Sequence, residues 1–159
     1  IFGCRFYSNQ AVDAYTKDKE KILIGGSALY LRSINSEVKS CIFENNKGRK
    51  GAFQMNGIFD DDPSLSLKNI KDDIHQSISI SDCEIKVNQK DESGIYVEGN
   101  VGNKIKIMNC EFSGRLGKKA KYIDGKLNNK NNQRIQVKNC KFEHNEKLSV
   151  NMELVDNEN

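Results

Sequence analysis

Residues 105–112 read Ile105-Lys106-Ile107-Met108-Asn109-Cys110-Glu111-Phe112, and the parity of this stretch decides the fold. Side chains along a strand alternate between two faces, so Ile105 and Ile107 share one face while Cys110 and Phe112 fall on the opposite parity. One straight strand would send these two apolar pairs to opposite sides. A bend at Asn109 turns both pairs toward a single interior, and Asn is a residue whose side chain bonds locally to backbone in turns.

The pattern recurs along the chain. It reads Arg134-Ile135-Gln136-Val137-Lys138-Asn139-Cys140-Lys141-Phe142, then Ile78-Ser79-Ile80-Ser81-Asp82-Cys83-Glu84-Ile85, then Val38-Lys39-Ser40-Cys41-Ile42-Phe43, with Gly3-Cys4-Arg5-Phe6 as the first copy. All five cysteines of the chain sit at the same place in these copies, which marks an internal repeat. The corner position is Ser40, Asp82, Asn109 and Asn139, a ladder of short polar turn formers. The interior ladder is Cys4, Phe6, Cys41, Phe43, Cys83, Ile85, Cys110, Phe112, Cys140 and Phe142.

A second apolar segment lies between the copies: Ala28-Leu29-Tyr30-Leu31, Gly51-Ala52-Phe53-Gln54-Met55, Gly94-Ile95-Tyr96-Val97, Ala120-Lys121-Tyr122-Ile123, and residues 148–154. Each period therefore holds three short strands. The expectation is an all-β chain, a right-handed parallel β-helix solenoid of about 4–5 coils, roughly 20 to 25 Å long at about 4.8 Å per coil. Residues 1–159 read as one β-helix segment belonging to a longer chain, with loop excursions at 12–24, 59–76 and 115–134. A lone helical turn is expected at 13–21 or 63–73, the latter from Pro63 behind Asp60 to Asp62.

The order Cys4-Arg5-Phe6-Tyr7-Ser8-Asn9 followed by Gly25-Gly26-Ser27-Ala28-Leu29-Tyr30 resembles the repeats of polymorphic outer-membrane and adhesin-like proteins of the pectate-lyase-like β-helix superfamily. Cys41-Ile42-Phe43-Glu44-Asn45-Asn46 and Cys140-Lys141-Phe142-Glu143-His144-Asn145 repeat its front half. The resemblance implies a non-catalytic secreted or cell-surface module that binds or displays, with a glycan as one candidate ligand. It also brings the alternative of a carbohydrate-active enzyme, a polysaccharide lyase or glycoside hydrolase acting on acidic glycans, as found elsewhere in that superfamily.

Composition agrees with a solenoid: 36% hydrophobic and 30% charged is lean for a compact globule but sufficient for a narrow apolar column. The net charge of +3 points to no nucleic-acid or membrane partner for the whole chain, and no apolar run is long enough to span a bilayer. An odd number of cysteines, set far apart, fits neither a full disulfide framework nor a zinc site, so the cysteines read as core filling. Reduced stacked thiols suit the cytosol or a bacterial exterior.

Candidate chemistry lies outside the core. No catalytic residue is assigned, because no second carboxylate or base can be placed opposite Asp60, Asp61 and Asp62. These three form the one candidate cation site, for calcium on a flexible loop, with Asp72 and Asp73 as possible helpers; no other cofactor is expected. Lys118, Lys119, Lys121, Lys126, Lys130 and Arg134, in a stretch with Asp124 as its sole acid, form a candidate anionic-ligand site. Tyr30, Tyr96 and Tyr122 are candidates for a row on one outer face, where sugars stack. His75 and His144 read as surface or turn residues. Expected partners are a glycan or another surface protein, with continuation or self-association through the solenoid ends. A carboxylate pair beside a basic residue in a sheet-lined groove, roughly 5 to 10 Å apart, would favour the enzyme.

Overall fold

The computed structural model describes residues 1–10, 14–15, 21–22, 28–31, 35–47, 51, 53–56, 77–87, 93–99, 104–118, 120–127, 134–144, 148–149 and 152–154. The strands, in chain order, are β1 (Arg5–Tyr7), β2 (Ala14–Tyr15), β3 (Lys21–Ile22), β4 (Leu29–Leu31), β5 (Asn35–Lys39), β6 (Ile42–Glu44), β7 (Phe53–Asn56), β8 (Ser77–Ser81), β9 (Glu84–Val87), β10 (Ile95–Gly99), β11 (Lys104–Met108), β12 (Glu111–Gly114), β13 (Ile123–Leu127), β14 (Arg134–Lys138), β15 (Lys141–Phe142), β16 (Leu148–Ser149) and β17 (Met152–Leu154). All but β2 and β3 fall into three five-stranded sheets: an entry sheet β4-β7-β10-β13-β16, a middle sheet β5-β8-β11-β14-β17 and a cysteine sheet β1-β6-β9-β12-β15. Every neighbour within these sheets is parallel, so each coil visits the three in turn and bonds to the coils on either side, forming a right-handed β-helix.

The corner between middle and cysteine sheets is made by one residue. Ser40, Asp82, Asn109 and Asn139 take left-handed φ of 53, 54, 53 and 52°. Asn and Asp tolerate this region better than most residues, and Gly3, at φ 61°, does the same task in the first copy. The turn is held across coils, because the amide of Asp82 donates to Met108 O at 3.1 Å and that of Asn109 to Lys138 O at 3.0 Å. Asn109 Nδ2 also donates to Asp82 Oδ1 at 3.1 Å, linking successive corners.

With the corner in place, both apolar pairs point inward. Ile105, Ile107, Cys110 and Phe112 are all buried, together with Val38, Phe43, Ile80, Ile85, Ile95, Val97, Ile123 and Val137. Phe6 stacks on Phe43 with centroids 4.8 Å apart, and Phe112 on Phe142 at 4.9 Å; Ile85 interrupts the row.

Each thiol has a defined role. Cys41, Cys83, Cys110 and Cys140 donate S–H to the carbonyl two residues back, Lys39, Ser81, Met108 and Lys138 O, at 3.3, 3.1, 3.2 and 3.4 Å. A small apolar side chain with a weak donor is what this inward-facing corner requires. Cys4 differs from the expected core ladder: it is exposed, directly before β1, the edge strand of the described cysteine sheet. Phe6 and Phe142, on the two edge strands, are only partly buried.

A second corner follows the Cys-x-Phe unit, at Ser8 (φ 54°), Asn45 (φ 55°) and Gly114 (φ 104°). The asparagine of Cys-x-Phe-x-x-Asn sits just beyond it. Asn46 is buried, accepts at Oδ1 from the Asn9 amide and Nδ2 at 3.1 and 2.9 Å, and donates from Nδ2 to Phe6 O at 3.0 Å. A buried amide is thereby satisfied on both its oxygen and its nitrogen.

Three expectations need correction. Excursion 12–24 contains β2 and β3, paired antiparallel through Ala14↔Ile22 and Tyr15↔Lys21, so these four residues are extended in one of the two places offered for a helical turn. Within 115–134, β13 begins at Ile123, where the apolar segment Ala120 to Ile123 ends; Ala120 and Tyr122 are buried in the lead-in. Tyr122 therefore belongs to the core, and its hydroxyl donates to Gly114 O at 3.3 Å. Excursion 59–76 and the helical turn at 63–73 lie outside the described residues.

Candidate functional site

Because the coils are in register, every outward position becomes a column running across the sheet. On the cysteine sheet the residue between Cys and Phe gives the column Arg5, Ile42, Glu84, Glu111 and Lys141, and the residue after Phe gives Tyr7, Glu44, Lys86 and Ser113. These columns border a groove of about 300 Å³ lined by Ile42, Phe43, Glu44, Glu84, Lys86, Glu111 and Ser113.

Its electrostatics are uneven. Glu44 is held by Arg5 Nη2 at 2.9 Å and Lys86 Nζ at 3.6 Å. The hydrogen bond from Arg5 keeps its carboxyl below the usual carboxylate range, and Lys86 adds to the effect. Glu84 and Glu111 are direct neighbours in register, one strand spacing or about 4.8 Å apart at the backbone. Both are exposed. The lining thus holds Glu44, Glu84, Glu111 and Lys86, with Arg5 and Lys141 at the two ends of the flanking column, Arg5 bonded to Glu44. Beyond Glu44 lies Tyr7, 55% exposed, with the Arg5 guanidinium 5.5 Å from its ring centre, so an aromatic surface closes that end.

The entry sheet offers a lesser column. Tyr30 and Tyr96 share a register row with Gln54 between them, and Asp124 and Ser149 continue it. Asp124 Oδ1 accepts from Ser149 Oγ at 2.7 Å and from the Gly125 amide at 2.8 Å, which occupies the carboxylate internally. Of the expected tyrosine row, two members face outward and Tyr122 does not.

Four members of the expected anion site fall among the described residues. Lys118 is exposed and Lys121 half-buried in the approach to β13, whereas Lys126 and Arg134 stand beyond and near its other end, on the entry and middle sheets. Lys119, Lys130, Asp60, Asp61, Asp62, Asp72, Asp73 and His75 lie outside the described residues. His144 is exposed just after β15. No cluster of three or more His, Cys, Asp or Glu suited to a metal occurs among the described residues, nor does a helix long and apolar enough to cross a membrane.

Glu44, Glu84, Lys86, Glu111 and Ser113 were not singled out from the sequence. Their signal is present, however: they are the polar-parity positions of copies whose cysteines align them. Reading each copy for its outward residues as well as its inward ones places them side by side. No family model, no curated protein and no solved structure matches this chain.

Proposed function

We propose that the chain is a non-catalytic β-helix binding module of a secreted or cell-surface protein, adhesin-like in role, that takes a glycan in the groove of the cysteine sheet. The observation that carries this reading is the groove itself, in which carboxylates, a lysine and a serine hydroxyl stand in repeating columns beside the exposed ring of Tyr7. Carboxylates accept hydrogen bonds from sugar hydroxyls or an ammonium, and an aromatic ring stacks on a pyranose face. With Glu44 held by Arg5 and Lys86, the adjacent Glu84 and Glu111 are the carboxylates that face a ligand, which favours a neutral or amino-bearing saccharide over an acidic one in this groove. A glycan array scored for binding and cleavage tests the reading. Neutral or amino-bearing saccharides are expected to bind, and the paired variant Glu84→Gln with Glu111→Gln to weaken them about tenfold or more. Equal binding by this variant, or a preference for acidic glycans that it leaves intact, overturns the site.

One observation favours a second reading, a glycoside hydrolase. Glu84 and Glu111 lie on adjacent rungs beside Lys86, and two carboxylates flanking one glycosidic bond are what acid-base hydrolysis needs. Release of reducing ends from a bound glycan, abolished by either single Gln variant while binding persists, would establish it.

A further inference from the structure

The exposed large apolar side chains among the described residues are Ile1, Phe2, Tyr7 and Tyr30, and all four belong to the first rung of the stack. That rung is made of residues 1–2, β1 and β4, one piece for each sheet. Phe2 is fixed beside β5: the Ile1 nitrogen donates to Glu37 O at 2.8 Å, the Lys39 amide to Ile1 O at 2.9 Å and the Gly3 amide to Lys39 O at 3.0 Å. Its register partner is Lys39, exposed next to buried Val38, so Phe2 faces outward from the middle sheet and is 62% exposed. Tyr7 follows inward-facing Phe6 and faces outward from the cysteine sheet. Tyr30, between the core-packed Leu29 and Leu31, faces outward from the entry sheet. Each face of the first rung therefore carries one exposed ring. Arg5 is the only charged side chain in residues 1–10 and 28–31, and it is bonded to Glu44 at 2.9 Å. The second rung differs, with Glu37, Lys39 and Lys47 all exposed.

The three faces of the solenoid point away from one another, so a partner lying against one side of the stack cannot reach all three rings. A layer perpendicular to the axis meets them together. We infer that the first rung docks end-on into the headgroup layer of a phospholipid bilayer, with Phe2, Tyr7 and Tyr30 as an aromatic collar at the edge of the hydrocarbon. Tyrosine suits this level because its ring is apolar and its hydroxyl stays wet. The depth agrees as well: interfacial elements sink about 5–10 Å, which is one to two rungs of about 4.8 Å. Two features hold the stack at that depth. The outer edges of β1 and β4 have no strand beside them among the described residues, and their free backbone groups need the water that headgroups retain and hydrocarbon lacks. The charges of the second rung resist deeper entry. This is a contact with the interface and not a span. It does not depend on what the groove binds, although Tyr7 borders both, so Phe2 and Tyr30 carry the test.

The test is flotation of the full chain with vesicles of phosphatidylcholine alone and of phosphatidylcholine mixed with phosphatidylserine. The chain is expected to float with both, and to keep floating as salt rises from about 50 to 500 mM, because the contact is apolar rather than ionic. Phe2→Ser with Tyr30→Ser is expected to lower partitioning about tenfold or more with unchanged circular dichroism. Met108→Ser, at a half-exposed position on β11 away from the first rung, is expected to lower it less than about threefold. The chain has no tryptophan, so Phe2→Trp and Met108→Trp each give a single reporter. On vesicles the emission of the first is expected to shift to the blue and to be quenched by lipids brominated near the headgroup end of their chains, while that of the second stays as in buffer. The Glu84→Gln and Glu111→Gln pair should leave flotation intact, which separates failure here from failure of the groove. No flotation, flotation that needs phosphatidylserine and is lost in salt, equal shifts from both reporters, or in place of flotation a dimer that Phe2→Ser with Tyr30→Ser dissociates, overturns the inference.

Discussion

At the scale of single residues, the cysteine is the most informative side chain because its environment sets both packing and ionisation. Burial pushes the Cys41 thiol up, and Cys110 is raised by its contacts with Cys140 and Cys83 and by burial. Tyr122, desolvated in the core with Glu143 adding a like-charge effect, is pushed up to about 12. Each of these groups holds its proton more tightly in the folded chain than in the unfolded one. The stability they contribute is therefore complete below the unfolded thiol value of 9.0 and is lost as pH rises above it. Cys83 and Cys140 are lowered by their contact with Cys110, so the thiol shifts oppose one another, and urea unfolding followed by circular dichroism should show a free energy that falls between pH 10 and 12 through Tyr122, a fall that Tyr122→Phe flattens. A wild-type curve that rises over this range contradicts the assignment. The polar corner residues, by contrast, are legible from chemistry alone. Asn109 and Asn139 could be placed in a left-handed turn from sequence because Asn both tolerates positive φ and bonds to nearby backbone.

At the scale of elements, what could be read and what could not divides along parity. The middle and cysteine strands carry strict alternation next to a cysteine, so β8, β9, β11, β12 and β14 fall close to where the copies suggest. The entry strands lack a fixed marker, and β13 shows the cost. Tyr122 and Ile123, both buried and adjacent, cannot lie on one face of a regular strand, so the chain enters β13 irregularly and its pairing starts late. Gly125 is the residue that lets β13 seat against β10: a Cβ there would lie 2.0 Å from Val97 O. Gly125→Ala should consequently cost about 1–3 kcal/mol by forcing the two strands apart. The midpoint of urea unfolding measures this, and a neutral result would mean that β13 can shift without loss. The same alternation conceals the groove, since Glu84 and Glu111 read individually as solvated charges and become a pair only when the rungs are stacked.

At the scale of the whole molecule, the stack has an interior that is nearly uniform and three faces that are not. The cysteine sheet mixes carboxylates and cations around its groove, the middle sheet carries mostly cations, and the entry sheet is marked by Tyr30 and Tyr96. The net charge of +3 hid this arrangement in the sequence, because residues far apart along the chain come together in columns only on folding. The position of each coil in the stack also leaves a chemical trace. Cys4 is exposed at one end and the other four cysteines are buried, so a thiol reagent under native conditions should label one site per chain rapidly, and all five only after denaturation. Rapid labelling of Cys83 or Cys110 would place an opening in the middle of the stack. The three sheets hold five strands each, and each middle-to-cysteine corner among the described residues turns on one residue. Extension of the axis therefore poses no new packing problem: duplicating one coil's worth of sequence adds about 4.8 Å to the core and to all three faces together. Reach along a polymeric ligand is then counted in whole coils, a quantity that duplication of a single coil can change in one event, whereas most folds would have to rebuild a core to gain the same length.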